Sequence, residues 1–246
     1  MESTARNATA DAGFSRTENR QALLRQSKLF RDMPESLIHH VASHVVERRL
    51  DDGEALFLKH DPDDFVALVV TGRLYTLLYG PDGRELITES AEPGEVVGET
   101  ALVDASRRQA AAFACGPTRV FLLWRRHFPQ LTKEPLFIQR LLMLLCDKVR
   151  KAAAFIESVC LYRLESRLAR HLISAIDQCG RAEHGGIVVP LPPSQSNLAA
   201  MVNVSRPKLN AQLQAWRRDG VISWTHDTLL IADVDHLRSV AYISIT

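Results

Sequence analysis

Apolar residues recur in three rhythms along this chain, and each rhythm predicts a different kind of element. In "ENRQALLRQSKLFRDMPESLIHHVASHVVERR" they return every three to four positions with a break at Met33-Pro34, which predicts short helices on either side of the proline. From about Arg49 to Trp124 the period falls to two. This stretch is punctuated by Asp52-Gly53, Asp61-Pro62, Thr71-Gly72, Pro81-Asp82-Gly83, Pro93-Gly94 and Gly116-Pro117. Many short strands with turn signals roughly ten residues apart read as a sandwich or barrel. After Pro135 neither Gly nor Pro occurs to about Ser158, and Ile138, Leu142, Leu145, Val149, Ala152, Ile156 and Val159 keep the alternating four-three spacing of a coiled-coil seam. A long helix is expected, with this stripe against a second copy and Leu141, Leu144 and Phe155 against its own domain.

Past a break near Cys160, "LYRLESRLARHLISAIDQCG" is a further amphipathic helix closed by Gly180, and "RAEHGGIVVPLPPSQ" a turn and short strand with a proline stop. In "SNLAAMVNVSRPKLNAQLQAWRRDGVI" Leu198, Met201 and Val202 form one apolar helical face, Asn203-Val204 a turn, and Ser205 an N-cap for a second helix with Pro207 in its first turn. Leu209, Leu213 and Trp216 are its buried side, leaving Arg206, Lys208, Asn210 and Gln212 outward. Guanidinium and amide groups on such a helix suit base edges in a major groove, and further cations suit phosphates. "GVISWTHDTLLIAD" follows as strand, turn and strand, the pattern of a wing.

Composition narrows the class. The chain has 246 residues, 46% apolar and 24% charged, with a net charge of +1. No apolar run is long enough for a membrane span, and "MESTARNATADAGFSRTENR" lacks the apolar core of a signal peptide, so a cytoplasmic protein is expected. Cys115, Cys146, Cys160 and Cys179 show neither a C-x-x-C pair nor histidines at zinc-like spacing. They read as reduced, mostly structural thiols, and no metal site is indicated. No nucleophile-base pair suggests an enzyme.

One phrase interrupts the strand region: "PGEVVGETALVDASRRQA", Pro93 to Ala110. A carboxylate beside a glycine and a guanidinium nine residues later are costly to bury unless something lies between them or they pair with each other. Both readings stand on the residues alone.

The series "LDDGEALFLKHDPDDFVALVVTGRL", "GPDGREL", "PGEVVGETALV…SRRQA", the long helix, and the helix-turn-helix with its wing resembles the cyclic-AMP receptor protein and fumarate-nitrate regulator family of bacterial transcription factors. The resemblance runs from about Leu24 to Ala241. It implies an α+β chain: a flexible tail at 1–18, a cyclic-nucleotide-binding-type β-roll (double-stranded, jelly-roll-like) at 19–134, a dimerisation helix at 135–160 and a winged helix-turn-helix at 161–246. It also implies a homodimer on double-stranded, inverted-repeat promoter DNA, with RNA polymerase as a further partner and no catalysis. "GETAL…RRQA" then corresponds to the phosphate-binding cassette. Glu99 would accept the ribose hydroxyl, Arg108 would pair with the cyclic phosphate, and the Gly98, Thr100, Ala101 and Leu102 backbone would close round it, with Val97, Arg107 and Gln109 alongside. Gln195, Ser196, Ser205, Arg206, Lys208 and Asn210 would be the DNA-contacting set.

The chain departs from the cyclic-AMP branch at Gln109, which replaces Ser or Thr, at Ala152-Ala153, which replaces Thr-Ser, and in the reading helix at Pro207 and Ala211. Cyclic AMP, another cyclic nucleotide such as cyclic di-GMP, and no ligand all stay open as effectors. The last corresponds to a ligand-independent regulator whose roll serves assembly or contact with RNA polymerase. Iron-sulfur members use cysteines near the N-terminus, whereas the first here is Cys115, and the lone turn histidine His60 reads as exposed.

Overall fold

The computed structural model describes residues 17–81, 83–104, 106–190, 194–225 and 228–242. They fall into two compact units, Met1–Leu78 with Glu89–Lys148 and Tyr79–Thr88 with Val149–Thr246. Most of the expected tail lies outside the described residues, but Thr17 and Glu18 are already helical.

In the first unit α1 (residues 17–26) and α2 (Glu35–His44) flank the Met33-Pro34 break. Eight strands follow, all in this unit apart from Tyr79 and residues 85–88: β1 (Val46–Leu50), β2 (Ala55–Phe57), β3 (Phe65–Thr71), β4 (Leu74–Tyr79), β5 (Glu85–Ala91), β6 (Val96–Val97), β7 (Ala111–Ala114) and β8 (Thr118–Trp124). They make two four-stranded sheets, β1-β8-β3-β6 and β2-β7-β4-β5, which form the expected roll. Each turn signal lies at or beyond a strand end; residue 82 is outside the described set.

β3 departs from strict alternation, since Phe65 through Val70 are all buried. Both of its faces are covered, and a strand so placed is apolar throughout. Phe65, Ala67 and Val69 share a core with Leu50, Val97, Val120 and Leu122 of the roll. Val66, Leu68 and Val70 share another with Phe121, Leu123, the helices α1 and α2, and Phe137 and Leu141.

After the short α3 (Phe128–Leu131), α4 runs from Pro135 to Leu161 as one helix, and the division between the units falls within it. The expected seam is not uniform. Ile138 and Leu145 lean on the first unit's own core, with Leu144 beside them. Leu142, Val149 and Ile156 are 57%, 69% and 60% exposed in the single chain. Ala152 is exposed and Val159 half-buried.

The second unit holds α5 (Leu164–Cys179), β9 (Arg181–Glu183), β10 (Gly186–Pro190), α6 (Gln195–Met201), α7 (Arg206–Arg218), β11 (Ile222–Thr225), β12 (Thr228–Ile231) and α8 (Val234–Val240). The expected break near Cys160 lies slightly later, at Tyr162-Arg163. The strands form one sheet, β11-β12-β10-β9. Its core joins Leu168, Leu172, Leu198, Leu209, Leu213, Trp216, Ile222, Leu229 and Leu237. The wing strands are present, while residues 226–227 between them are outside the described set. The sequence reading did not foresee α8, whose N-cap Asp233 accepts a hydrogen bond from the His236 N–H at 2.8 Å. Among the described residues no helix is long and apolar enough to cross a membrane. Cys146, Cys160 and Cys179 are free and exposed rather than structural, and Cys115 is half-buried.

Candidate functional site

β6 pairs with β3 and ends at Gly98, whose φ of 78° turns the chain into a 3-10 turn, Glu99–Leu102. Ala101 and Leu102 anchor this turn in the core beneath, and Val97 is packed inside the roll. These three hold the cassette in place from behind. The groups that face its chemistry are Gly98, Glu99, Thr100 and Arg108.

Arg108 is 3% exposed. Its guanidinium lies directly over Gly98, where a Cβ would come within 2.1 Å of Nη1. It forms a salt bridge with Asp63, and its Nη2 donates to the Phe65 carbonyl at 2.6 Å. The guanidinium carbon also sits 4.1 Å from the centre of the Phe57 ring and 4.5 Å from that of Phe65. Thr100 Oγ1 donates to Asp63 Oδ2 at 2.7 Å, tying the 3-10 turn to the same carboxylate. Burial pushes the Asp63 carboxyl up, against the opposing pull of Thr100 and Arg108. Burial likewise pushes Arg108 down, though a guanidinium starts high enough to stay charged.

Glu99 and Arg108 do not pair with each other. Glu99 Oε2 instead accepts from Lys148 Nζ at 2.8 Å, and the same ammonium reaches Glu89 Oε2 at 2.8 Å. Burial alone would lower Lys148, but the Glu99 and Glu89 carboxylates outweigh it and hold the ammonium above the usual lysine value. Arg107 and Gln109 are exposed at the outer edge: Arg107 Nη1 donates to the His60 carbonyl at 2.8 Å, and Gln109 Nε2 to the Arg107 carbonyl at 2.9 Å. His60 is exposed, as expected.

Asp63, Lys148 and Glu89 were missed from the sequence. Asp63 sits in "DPDD", which reads as a turn, and Lys148 immediately precedes the seam residue Val149.

In the second unit Ser194, rather than Ser205, supplies a side-chain cap: its Oγ accepts from the Asn197 N–H at 3.1 Å at the start of α6, leaving Gln195 and Ser196 exposed. Ser205 occupies the N-cap position of α7 with extended backbone, but its hydroxyl makes no capping bond. Asn203 carries the turn between the helices at φ 51°, a left-handed conformation asparagine tolerates. Arg206, Pro207 and Lys208 are exposed at the helix start. Asn210 is not outward: it is half-buried, and its Oδ1 is sealed without a hydrogen-bond partner. Gln212 is half-buried too, while Ala211 and Gln214 take the outer face. The reason is helical phase, because Asn210 and Gln212 flank the stripe of Leu209, Leu213 and Trp216 that enters the core.

A cyclic nucleotide-binding domain model matches residues 47–134, and a Crp-like helix-turn-helix domain model matches residues 166–240. The chain is similar to the CRP-like cAMP-activated global transcriptional regulator of Mycobacterium tuberculosis, 22% identical over 216 residues, 87% of this chain and 96% of that one. It is also similar to the Cyclic AMP receptor protein of Thermus thermophilus, 24% identical over 220 residues, 89% of this chain and 99% of that one. Among solved structures, the c-di-GMP-responsive global regulator CLP of Xanthomonas campestris shares the fold with a TM-score of 0.72 at 18% identity, covering 81% of this chain and 100% of that one. These are transcription regulators, not enzymes. With a nucleotide-binding-type roll, a long helix and a Crp-like helix-turn-helix in that order, the chain belongs to the CRP/FNR family of DNA-binding transcriptional regulators.

Proposed function

We propose that the chain is a homodimeric, sequence-specific regulator working in the cytoplasm, whose grip on promoter DNA responds to a cyclic nucleotide in the roll. The observation that carries this reading is the bond from Lys148 of α4 to Glu99 of the cassette. A ribose hydroxyl donating to Glu99 would share that carboxylate with Lys148, which holds only its Oε2, so occupancy of the cassette is coupled to α4. A ligand shifts a conformational equilibrium only through such differential contacts. The next residue, Val149, belongs with Leu142 and Ile156 to an exposed apolar stripe, which supports pairing of α4 with a second copy. Exposed Arg206 and Lys208 at the start of α7, with Gln195 and Ser196 on α6, form the DNA-facing set, and RNA polymerase is the further partner.

A second reading is favoured by Asp63, which already neutralises Arg108. In it the roll takes no ligand and serves as a scaffold for assembly or polymerase contact.

A thermal-shift panel decides between them. It should include cyclic AMP, which activates the Mycobacterium relative, together with cyclic GMP and cyclic di-GMP. A true effector at a hundred times its dissociation constant adds about 2.7 kcal/mol to the form it binds. No shift with any nucleotide, alongside intact DNA binding, selects the scaffold. In a parallel binding selection a two-fold dimer should recover an inverted repeat with half-sites centred about ten base pairs apart.

A further inference from the structure

Three histidines that play no part in the cassette or the DNA-facing helices meet in the first unit. His40 and His44 lie one turn apart on α2, and His127 closes the 3-10 turn Arg125–His127 after β8. Ring centroids are 4.4 Å apart for His40 and His44, 4.1 Å for His44 and His127, and 6.0 Å for His40 and His127. One ring nitrogen from each lies within 4.8 Å of the other two. A zinc ion bound at about 2.0–2.1 Å in tetrahedral geometry holds its ligand nitrogens roughly 3.4 Å apart, so the rings need to close by little more than an ångström.

Two further features point to a ligand. The Nε2 atom of His40 is buried and has no hydrogen-bond partner, a state that costs free energy until something occupies it. His44 Nδ1 lies 2.7 Å from the His40 carbonyl, which can only accept, so Nδ1 carries the proton and Nε2 keeps its lone pair. Fixing a ligating imidazole through its other N–H to a carbonyl is the usual outer-shell arrangement at metal sites. The competing contact is weak: Arg126 Nε donates to His127 Nε2 at 3.1 Å, but it is exposed and easily released to solvent. A cleft of about 320 Å³, lined by Ser36, Leu37, His40, Gln130, Lys133 and Glu134, gives an entry path to His40.

We propose that His40, His44 and His127 bind a borderline divalent transition-metal ion, zinc first, with a fourth position left to water. Three imidazoles without a thiolate suit zinc, copper or nickel rather than calcium or magnesium. Bound there, the ion pins α2 to the turn that leads into α3 and α4.

The test uses the full-length, tag-free chain stripped with chelator and titrated with zinc chloride by calorimetry and equilibrium dialysis. One zinc per chain is expected, with a rise in melting temperature. His44→Ala and His127→Ala should each weaken binding at least tenfold and abolish that rise while retaining the wild-type circular dichroism spectrum. Cobalt(II) substitution should give visible d–d bands without the near-ultraviolet charge transfer of thiolate ligation. The proposal fails if zinc does not bind at concentrations up to about 100 µM. It also fails if binding survives both substitutions, or if cobalt reports thiolates, because the metal then sits elsewhere.

Discussion

Asp63→Asn separates a cassette that takes a phosphate from one that is already complete. In the Arg108–Asp63 pair the side chains are 2% and 0% exposed, so solvent screening takes nothing from it. Removing one partner of a buried ion pair costs about 3–5 kcal/mol. Asparagine keeps a carbonyl that can still accept from Thr100 or Arg108, which returns about 0.5–1.5 kcal/mol. The net expected loss is about 2–4 kcal/mol, and at a urea slope of about 2–3 kcal/mol per molar the first unit's midpoint falls by roughly 1 M. Trp124, with its ring 5.3 Å from that of Phe65 beneath the guanidinium, reports that transition by fluorescence.

If the wild-type guanidinium must leave Asp63 to take a phosphate, the variant binds cyclic nucleotide more tightly. Each 1.4 kcal/mol no longer spent on breaking the pair is worth about tenfold, so about 2–4 kcal/mol sets an expected gain of roughly thirty- to several-hundredfold in calorimetry. Two results refute the reasoning. An unchanged urea midpoint means that the pair contributes no net stability. A loss of nucleotide affinity as deep as that of Arg108→Ala means that Asp63 orients the guanidinium for the phosphate instead of competing with it.

Other substitutions probe the same architecture from different sides. Gly98→Ala combines a left-handed backbone with a Cβ driven into Arg108 Nη1, so nucleotide affinity should fall at least tenfold; calorimetry showing wild-type affinity would mean that the guanidinium moves aside freely. Lys148→Met leaves Glu99 and Glu89 without their shared cation. Because these side chains are 10–26% exposed, a loss of about 1–3 kcal/mol in chemical denaturation is expected, below the full buried-pair value. Val149→Asp with Ile156→Asp should convert a dimer to monomers in sedimentation while leaving the melting of each chain nearly unchanged, since both positions are exposed in the single chain. In a DNA-binding selection, Arg206→Ala should relax the preference at one base pair per half-site, whereas Lys208→Ala should weaken all sequences alike and reduce the salt slope by about one. Recovery of the wild-type motif by both variants would reduce Arg206 to a backbone contact.

What could be read from the sequence is what short-range chemistry specifies. Gly-Pro and Asp-Gly pairs punctuate the roll because each demands a backbone that a strand cannot supply, and the turn glycine Gly98 followed by a carboxylate stood out for the same reason. The α7 stripe Leu209, Leu213 and Trp216 was legible, yet its neighbours Asn210 and Gln212 were assigned outward. A helical wheel gives the direction of a side chain but not how wide the covering core is. In the α4 stripe Ile138 and Leu145 also pack partly on their own domain, because a helix with two apolar faces does not announce how much of each its own domain takes.

The ionic partners were illegible for a different reason. Lys148 meets Glu99 across 49 positions, and Arg108 meets Phe65 across 43; no local rhythm records such distances. The sequence reading found no histidines at zinc-like spacing beside the cysteines and passed over His40 and His44, which do stand at the i, i+4 spacing of a paired ligand set on a helix; the third imidazole comes from beyond eight strands. These long-range pairs are also what a ligand in the cassette would have to meet. If the roll takes a cyclic nucleotide, its phosphate meets an Arg108 already paired with Asp63 and its ribose a Glu99 already bonded to Lys148, so selectivity then depends on these internal partners as much as on contacts to the ligand. On that proposal, an effector that leaves the Lys148–Glu99 bond in place can occupy the roll without moving α4. Agonists and silent ligands should therefore differ in whether they release Lys148 rather than in how tightly they bind Arg108.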